Sequence, residues 1–432
     1  MKFHKPITTV ATASEALAAF RDGSLAAGEY WRQCQEAIDT FENDVRAFAA
    51  IDPRAASSEL LRSSDATSPL HNIPVGIKDV IATKDLPTTY NSPLYKDYQA
   101  GNDAACVSVL RANGCAVLGK TSTVEFASLG QVTETRNPHH LEHTPGGTSS
   151  GSAAAVATGM VPIALGTQTG GSTIRPASFC GIAALKPSFG LVPTEGLKPY
   201  APSLDTITFM ARSIADLEIA LACFDPLEPQ PATSGAPRIG VYRSAYWDKA
   251  DASTRDAMAW MQELLVASGA HVSDIPALEG DDRLNESQDV VMHAEGRSSY
   301  LAESLLWPER LHPALRDEVD NIRQFSSADV LAAQDNLAMM RSRMDAHMQG
   351  FDALLTPAVP GEAPLGLAST GDAVFNRLWT ALHVPAITLP GFVGRNGLPV
   401  GVQLVAPRHH DRKLLAVARY AESVVKAASE RQ

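Results

Sequence analysis

The stretch that says most about the fold is PGGTSSGSAAAVATGMVPIALGTQTGGSTIRPASFCG, residues 145–181. Its runs of Ala and Val, set between Gly- and Ser-rich turns, predict a tightly packed helix between strands. Gly in such turns lets one backbone segment approach another, or a ligand, closely. Outward from this stretch, strand and helix patterns alternate along the chain. The alternation predicts an α/β fold with a large, mainly parallel mixed sheet that is covered by helices on both faces.

Caps, apolar runs and turn residues place the elements on either side of that stretch. Thr12 followed by Glu15 forms a capping-box pattern, which predicts the start of the first helix. The Pro-rich residues 225–237 are the clearest linker candidate. Further helices are expected over residues 26–43, 105–112, 254–267, 288–306, 326–348 and 411–429, and strands around residues 75–77, 116–118, 239–242, 353–356, 386–389 and 400–406.

The composition is that of a soluble globular protein. The 432 residues are 45% hydrophobic and 19% charged, which excludes a disordered, collagen-like or coiled-coil chain. No run of 18 apolar residues occurs, so we expect no membrane span. The formal net charge is −12, from 36 basic and 48 acidic residues, and it disfavours nucleic-acid and anionic-membrane partners. An anionic substrate would therefore need a local cation.

The cysteines and the N-terminus indicate a cytoplasmic setting. No C-x-x-C motif occurs, and the cysteines are scattered and odd in number. We therefore expect neither a disulfide framework nor a structural zinc site. The sequence MKFHKPITTV lacks the apolar region of a secretory signal. We expect reduced, mostly buried thiols at Cys34, Cys106, Cys115, Cys180 and Cys223.

Two Gly-rich segments and one lysine could carry chemistry. The loop at residues 145–152 could cradle an anion with backbone N–H groups, or could be a structural linker. Ser172 follows Gly170-Gly171, a turn that could expose a hydroxyl above an oxyanion hole or simply cap a helix. Lys78 lies in the apolar run VGIKD and either reaches the surface or is held neutral as a base.

Taken together, these segments offer a serine, a second hydroxyl-bearing Gly loop and a buried lysine, without an evident catalytic histidine. The nearby histidines His139, His140 and His143 could suggest a metal site. Their spacing is not that of H-E-x-x-H, however, and Asn137-Pro138 favours a loop. We therefore expect no metal there.

The motifs resemble those of the amidase signature enzymes, over about residues 14–421. The resemblance is carried by VGIKD, PGGTSSGSAAAVATG, ALGTQTGGSTIRPASFCGIAALKPSFG, TGDAVFNRLWT and GLPVGVQLVAP. It implies one amidase signature domain over residues 1–432. The catalytic core would span about 70–220, and a variable substrate-pocket region about 225–372. It also implies an amidase that needs neither a metal nor an organic cofactor.

The resemblance assigns three catalytic roles. Lys78 matches the family's base and Ser172 its nucleophile. The bridging hydroxyl, normally a serine 24 residues before the nucleophile, falls on Thr148, with Ser149 as the alternative. The Gly147–Thr148 peptide bond is then expected to be cis. Ser172 would form an acyl-enzyme while the N–H groups of Thr169, Gly170, Gly171 and Ser172 hold the oxyanion.

Details near the nucleophile resemble the malonamidase-like bacterial members. These are GTQTGGSxIRP, in place of the commoner GTDTGGSIRxP, and the TGD…NRLWT stretch. In such enzymes the arginine three residues after the nucleophile binds the substrate carboxylate, which implies that role for Arg175; a structural arginine bridging loops is the alternative. Gln168 replaces the commoner Asp, and further pocket-wall candidates are Tyr90, Asn91, Trp379 and His383, the last of which could equally be a core histidine.

The main hypothesis is therefore a homodimeric, cytoplasmic amidohydrolase for a small carboxylate-bearing amide such as malonamate. One alternative is a hydrolase of an aryl, indolyl or ureido (carboxybiuret-type) amide. Another is the glutaminase subunit of a tRNA-dependent amidotransferase, which would work with partner subunits. A third, prompted by Thr148 in place of serine, is a non-catalytic binding protein on the same scaffold.

Overall fold

A single large β-sheet organises the computed structural model, which describes residues 2–57, 67–225 and 235–431. Twelve strands are found within these ranges, in the order β2-β4-β3-β5-β7-β6-β11-β12-β10-β8-β9, with β1 paired to β11. The strands are β1 (Lys2–Phe3), β2 (Phe48–Ile51), β3 (Pro74–Lys78), β4 (Ala116–Thr121), β5 (Ile163–Gln168), β6 (Ala183–Lys186), β7 (Thr206–Ala211), β8 (Arg238–Tyr242), β9 (His271–Ile275), β10 (Ala353–Pro357), β11 (Ala386–Val393) and β12 (Pro399–Val405).

Thirteen α-helices in the described ranges pack on or beside this sheet, together with short 3₁₀ turns. The helices are α1 (Ala13–Asp22), α2 (Ala27–Val45), α3 (Ala105–Ala112), α4 (Ser150–Thr158), α5 (Ile174–Phe179), α6 (Ile214–Ala222), α7 (Ala252–Ala267), α8 (Leu284–Ser299), α9 (Leu301–Leu306), α10 (Pro313–Val319), α11 (Ser327–His347), α12 (Val374–Ala381) and α13 (Asp411–Ser429).

The sheet is mixed, and the direction of its strands changes across it. β3 runs parallel to β4 and β5 on one side, and β8 runs parallel to β9 and β10 on the other. Between these two groups the pairs formed by β5, β7, β6, β11, β12 and β10 are antiparallel. The mixed α/β class is confirmed. The expected predominance of parallel pairs is wrong, because antiparallel pairs are the majority among the described strands and include β2–β4 at one edge. Alternation of strands and helices does not fix strand direction.

Helices cover both faces of the sheet, as the side-chain alternation along its strands shows. Ile163 and Leu165 of β5 belong to the larger apolar core, which includes residues of α1, α6 and α13. Ala164, between them, faces a second core formed with α2 and α4. Since successive strand residues point to opposite faces, the two cores lie on opposite sides of the sheet.

Helix α4 packs closely because its residues are small. All nine residues of Ser150–Thr158 are buried. A Cβ on Gly151 would collide with the Ala47 carbonyl and the Ser122 backbone nitrogen, so this position accepts only glycine. The predicted helix between strands in the 145–181 stretch is thereby confirmed, with β5 following it.

Most long elements lie where the sequence predicts them, but the helical region expected over 288–306 is two helices, α8 and α9, and begins at Leu284. Thr12 caps α1 through a complete capping box with Glu15, and α3 and α13 have the expected bounds. The shorter β1, β2, β6, β7, β9, α5, α6, α10 and α12 carried no prediction of their own. The proposed linker at 225–237 lies largely outside the described residues. All five cysteines are free and buried. Among the described residues, no helix has the length and apolarity needed to cross a membrane.

Candidate active site

The site is built around Lys78, the last residue of β3. Its side chain is fully buried, and Nζ lies 2.7 Å from Oγ1 of Thr148 and 2.7 Å from Oγ1 of Thr167. Burial lowers the pKa of Lys78 well below its usual value, and the nearby Asp205 carboxylate opposes that shift. A lysine in this setting is held toward its neutral form, in which it can accept a proton.

The loop before α4 presents Thr148 to Lys78. The Gly147–Thr148 peptide bond is cis, as expected. The neighbouring Ser149 hydroxyl points elsewhere, because it donates to the Thr167 carbonyl at 3.2 Å and accepts from the Thr167 N–H at 3.2 Å. Of the two candidate bridging hydroxyls, Thr148 is therefore the one in contact with the lysine.

Ser172 lies on the turn that joins β5 to α5, at 7% exposure. Its backbone carbonyl accepts a 3.2 Å hydrogen bond from the Ser149 N–H, which ties the two Gly-rich loops together. Within the described part of the chain, the Ser172 hydroxyl makes no hydrogen bond. Catalytic hydrogen bonds in a free enzyme are often long and shorten only with substrate bound. The structure thus brings the Ser172 loop against the Thr148 loop, but the Ser172 hydroxyl is not hydrogen-bonded to the Thr148 hydroxyl.

The backbone at residues 169–172 has anchored carbonyls and N–H groups without acceptors. The Thr169 carbonyl accepts from Gln288 Nε2 at 3.0 Å, and the Gly170 carbonyl accepts from Thr380 Oγ1 at 2.6 Å. The N–H groups of Gly170, Gly171 and Ser172 have no acceptor within the described residues. Fixed carbonyls on one side and unused N–H donors on the loop suit the stabilisation of a developing oxyanion.

Gly171 is required by the close approach of α12. A Cβ on this residue would lie 2.5 Å from Oδ1 of Asn376 and 2.8 Å from Cβ of Ala373. Cβ atoms in folded proteins do not lie this close to other heavy atoms. The second glycine of the GGS motif therefore allows the loop to rest directly on α12.

Asp205 is hydrogen-bonded to the same loop through Thr169. Its buried carboxylate accepts from Thr169 Oγ1 at 2.5 Å and from the N–H groups of Tyr200 and Ala201 at 2.8 and 3.1 Å. Burial raises the pKa of Asp205 to about 6, and these hydrogen bonds act in the opposite direction. Asp205 is a positioning residue for Thr169 and an electrostatic neighbour of Lys78 that the sequence reasoning missed.

Arg175 lies between the bridging loop and the loop before α12. Its guanidinium is buried and donates to the carbonyls of Gly371 (3.0 Å) and Gly147 (2.6 Å) and to the Thr370 hydroxyl (2.9 Å). Its Nε is buried without a partner among the described residues. Burial lowers the pKa of Arg175 to about 10. These contacts fit the alternative, a structural arginine that ties the bridging loop to the loop before α12. The contact with a substrate carboxylate stays a prediction.

Gln168 also lies beneath the site. Its side-chain oxygen accepts from the N–H groups of Thr173 and Ile174, both at 3.0 Å, and its Nε2 donates to the Thr380 hydroxyl at 3.0 Å. The side chain is completely buried. Gln168 therefore joins the start of α5 to α12, while the substrate contact predicted for it stays a prediction.

The pocket-wall candidates fall into different surroundings. Tyr90 packs its ring against Tyr95, Tyr98 and Phe126. Asn91 donates to the Gln131 carbonyl at 3.1 Å. Both residues lie in the segment that follows Lys78. Their contact with a substrate stays a prediction.

The other two candidates occupy core positions. Trp379 is fully buried, with its ring edge toward Tyr242. His383 Nε2 lies 2.8 Å from the Ser203 carbonyl and its ring stacks on Phe189, while burial and then Arg341 lower the pKa of His383 to about 3. Its alternative interpretation, a satisfied core histidine, fits these contacts.

Of the three histidines upstream of the loop, His140 and His143 are in edge contact, with ring centroids 4.7 Å apart. His139 Nε2 lies 2.9 Å from the Cys180 carbonyl, and His143 Nδ1 lies 2.7 Å from the Ala363 carbonyl. Among the described residues, no group of three or more His, Cys, Asp or Glu side chains is arranged to hold a metal ion.

Four further residues of the site were not predicted: Thr167, Asp205, Gln288 and Thr380. Thr167 could have been found, because it shares the face of β5 with the apolar Ile163 and Leu165 and precedes the nucleophile turn. Asp205 directly precedes β7, but a single acidic residue before a strand does not by itself indicate a functional role. Gln288 and Thr380 come from distant helices, and only the tertiary fold places them here.

Comparison with known proteins supports the same family. The family model described as Amidase matches residues 29–415. The A subunit of the Glutamyl-tRNA(Gln) amidotransferase of Chloroflexus aggregans is 33% identical, over 95% of this chain and 94% of that protein. Its counterpart in Rhodopirellula baltica is 31% identical, over 94% of each chain.

Solved structures are similar over almost the whole length. One described as an amidase has 27% identity and a TM-score of 0.84, covering 96% of this chain and 99% of the other. The corresponding Glutamyl-tRNA(Gln) amidotransferase subunit of Thermotoga maritima has 28% identity and a TM-score of 0.79, covering 95% and 93%. A chain from a vestigial complex, related to the origins of an s-triazine catabolic enzyme, has 25% identity and a TM-score of 0.85, covering 97% and 98%.

Proposed function

Because this chain belongs to the amidase family of amide C–N hydrolases, we propose that it works through an acyl-enzyme on Ser172. Lys78 is the general base and Thr148 the bridging hydroxyl. The observation that carries this proposal is the fully buried Lys78, whose Nζ lies 2.7 Å from the Thr148 hydroxyl. A neutral amine and a hydroxyl at this distance can pass one proton in either direction.

In the first half of the reaction, the Ser172 proton moves through Thr148 to Lys78, and Ser172 Oγ attacks the amide carbonyl. The tetrahedral oxyanion is held by the free N–H groups of residues 170–172. Collapse breaks the C–N bond, and the proton returns through Thr148 to the leaving nitrogen. In the second half, water attacks the acyl ester by the same relay and releases the acid.

For the substrate, we propose a small primary amide that also bears a carboxylate, as in malonamate. The malonamidase-like motifs around the nucleophile support this choice. A second candidate is glutamine, used as the ammonia source of a tRNA-dependent amidotransferase. It is favoured by the amidotransferase subunits that are similar to this chain over more than 90% of both lengths. Both candidates combine a carboxamide with a carboxylate and release ammonia. An aryl, indolyl or ureido amide is the remaining alternative.

The supporting residues keep proposed roles. Arg175, Gln168 and Tyr90 are proposed to contact the substrate, and Arg175 and Gln168 also hydrogen-bond to the bridging loop and the nucleophile turn. We also propose one domain over residues 1–432 in which the region of about 225–372 shapes substrate choice. A homodimer in the cytoplasm stays our proposal for its setting, and light scattering of the purified chain tests the dimer.

Ammonia release decides between the substrates. The purified chain is given malonamate, malonamide, L-glutamine and a neutral aryl amide, with Ser172→Ala as the blank. Turnover of malonamate by the isolated chain supports the main proposal. Turnover of L-glutamine, with co-purifying partner subunits, supports the amidotransferase. Failure of a fluorophosphonate to label Ser172 in the folded protein would instead favour a non-catalytic binding protein.

A further inference from the structure

A carboxylate-bearing substrate needs a cation near the oxyanion hole, because the chain carries a net charge of −12. Arg175 does not meet that need well. Both of its terminal nitrogens donate to loop acceptors, and the group is buried behind the bridging loop. A more exposed cation beside the same loop would therefore be a better-placed partner for an anionic substrate.

Arg377 on α12 lies beside the oxyanion loop. Its Cγ is 3.7 Å from the point that a Cβ on Gly170 would occupy, so its stem rests against that glycine. The side chain is 35% exposed, unlike that of Arg175. Gly170 leaves room that a side chain would fill. The arginine thus both contacts the loop that holds the reacting carbonyl and leaves its guanidinium open to a ligand.

The ion pair of Arg377 leaves much of its charge available. Its Nη1 donates to Asp289 Oδ1 at 3.0 Å, the one hydrogen bond that its guanidinium makes within the described residues. Asp289 is shared, since it also accepts from Arg323 at 3.2 Å and lies 3.3 Å from His293 Nε2. One carboxylate facing two guanidinium groups neutralises neither completely.

We propose that Arg377 binds the carboxylate of the substrate whose amide carbonyl Ser172 attacks, and so selects amides with a carboxylate a few bonds away. The inference rests on the proposed function, because it names a substrate contact of that same site. A guanidinium fork takes a carboxylate through two parallel hydrogen bonds, and an ordinary neutral amide offers no such partner.

The first test is a ratio of kcat/KM values for isosteric amides. Malonamate and malonamide differ only in a carboxylate against a carboxamide, and succinamate and succinamide extend the pair by one carbon. In Arg377→Gln we expect the anionic-to-neutral ratio to fall at least tenfold. Arg323→Gln is the matched control, since Arg323 pairs with the same Asp289 but is 46% exposed and has no contact with Gly170. Its ratio should stay within about twofold of the wild-type value.

The second test does not depend on turnover. Calorimetric titration measures the binding of malonate, succinate and L-glutamate to the full chain and to both variants. The expected result is a carboxylate affinity that Arg377→Gln weakens at least tenfold and Arg323→Gln does not. Arg377→Lys keeps the positive charge but not the guanidinium fork, and its carboxylate affinity should lie between those of the wild type and Arg377→Gln. This intermediate value would show that the loss in Arg377→Gln is not a folding defect.

Several outcomes overturn the inference. Equal losses on malonamate and malonamide, equal effects of the two arginine variants, or no binding of any of the three carboxylates would each do so. Failure of the proposed function looks different, because Ser172 would then resist fluorophosphonate labelling and no amide would release ammonia. A labelled, active enzyme whose selectivity ignores Arg377 removes the inference alone.

Discussion

At the scale of single residues, the main departure from the family pattern is Thr148. The extra methyl restricts χ1, but the hydroxyl still reaches Lys78 Nζ at 2.7 Å. Ser149, the alternative, is bound on both its donor and acceptor sides by the backbone of Thr167. The two adjacent hydroxyls therefore have different expected roles, and mutation can separate them.

Thr148→Val keeps the shape of the side chain and removes the hydroxyl. We expect kcat to fall by about 10²–10⁴-fold, the usual contribution of a positioned proton-transfer group, while Thr148→Ser should retain most activity. Ser149→Ala is the matched control and should cost about 1 kcal/mol of unfolding free energy with a much smaller loss of kcat. Initial rates and urea unfolding measure these effects. A larger kcat loss in Ser149→Ala than in Thr148→Val would reverse the assignment.

Lys78 should set the acid side of the pH–rate profile. Burial lowers its pKa well below that of a free lysine, and only the neutral amine accepts a proton. Activity should therefore fall as the pH drops through that lowered pKa, well below the range in which an ordinary lysine loses its proton. Lys78→Met should abolish turnover while leaving the circular dichroism spectrum unchanged. An activity that appears only above about pH 10, the range of an ordinary lysine, would contradict the neutral base.

At the scale of elements, the oxyanion loop is held by helices that are far away in sequence. Gln288 of α8 and Thr380 of α12 bind the Thr169 and Gly170 carbonyls, and Gly171 rests against α12. The N–H groups of the loop are oriented through these contacts. The catalytic loop is thus joined directly to α8 and α12, so a change in either helix should affect kcat.

Loss of these supports should lower kcat more than it raises KM. Thr380→Val and Gln288→Leu each remove one donor while nearly keeping side-chain volume, and we expect a drop of roughly tenfold in kcat, because a loosened oxyanion hole loses stabilisation of the transition state. Asn336→Leu, in a residue that binds Ser287 outside the site, serves as a control for general damage to α8 and α11. Changes confined to KM would show that the loop does not depend on these helices.

At the scale of the whole molecule, buried charges link the active site to stability. Asp205 is buried below the oxyanion loop, and its folded pKa of about 6 lies above the ordinary value of 3.8. The folded protein therefore holds this proton more tightly than the unfolded chain does. The resulting stabilisation is complete below about pH 4 and is lost as the pH rises through 6.

Asp205→Asn should remove this dependence. Between about pH 4 and 6, the Tm of the variant should lose less with rising pH than the Tm of the wild type. The amide keeps an acceptor for Thr169 or for the 200–201 backbone but not for all three donors, so kcat should also fall. Differential scanning calorimetry across this pH range measures the two slopes. Parallel Tm curves would mean that Asp205 titrates in the native state as it does in the unfolded chain.

The class of the fold, the approximate positions of most long elements and the chemical types at the centre of the site can all be read from the sequence. These features follow from local patterns. A capping box starts α1, small residues form α4, and VGIKD, GGTSS and TGGS bring a lysine and hydroxyls onto a strand end and two turns. The family resemblance then supplied roles for Lys78, Thr148 and Ser172 that composition and spacing alone left open.

Strand direction cannot be read from the sequence, and neither can the choice between Thr148 and Ser149 as the lysine's partner or the residues that surround them. These features follow from the tertiary fold. The physical reason is that side-chain direction and long-range contact are not local properties. Arg175 is three residues from Ser172, yet it turns toward the loop at Gly371; Arg377, about two hundred residues away, rests against Gly170. Packing of α8 and α12 on the nucleophile turn produces these contacts, and no sequence pattern near Ser172 contains them.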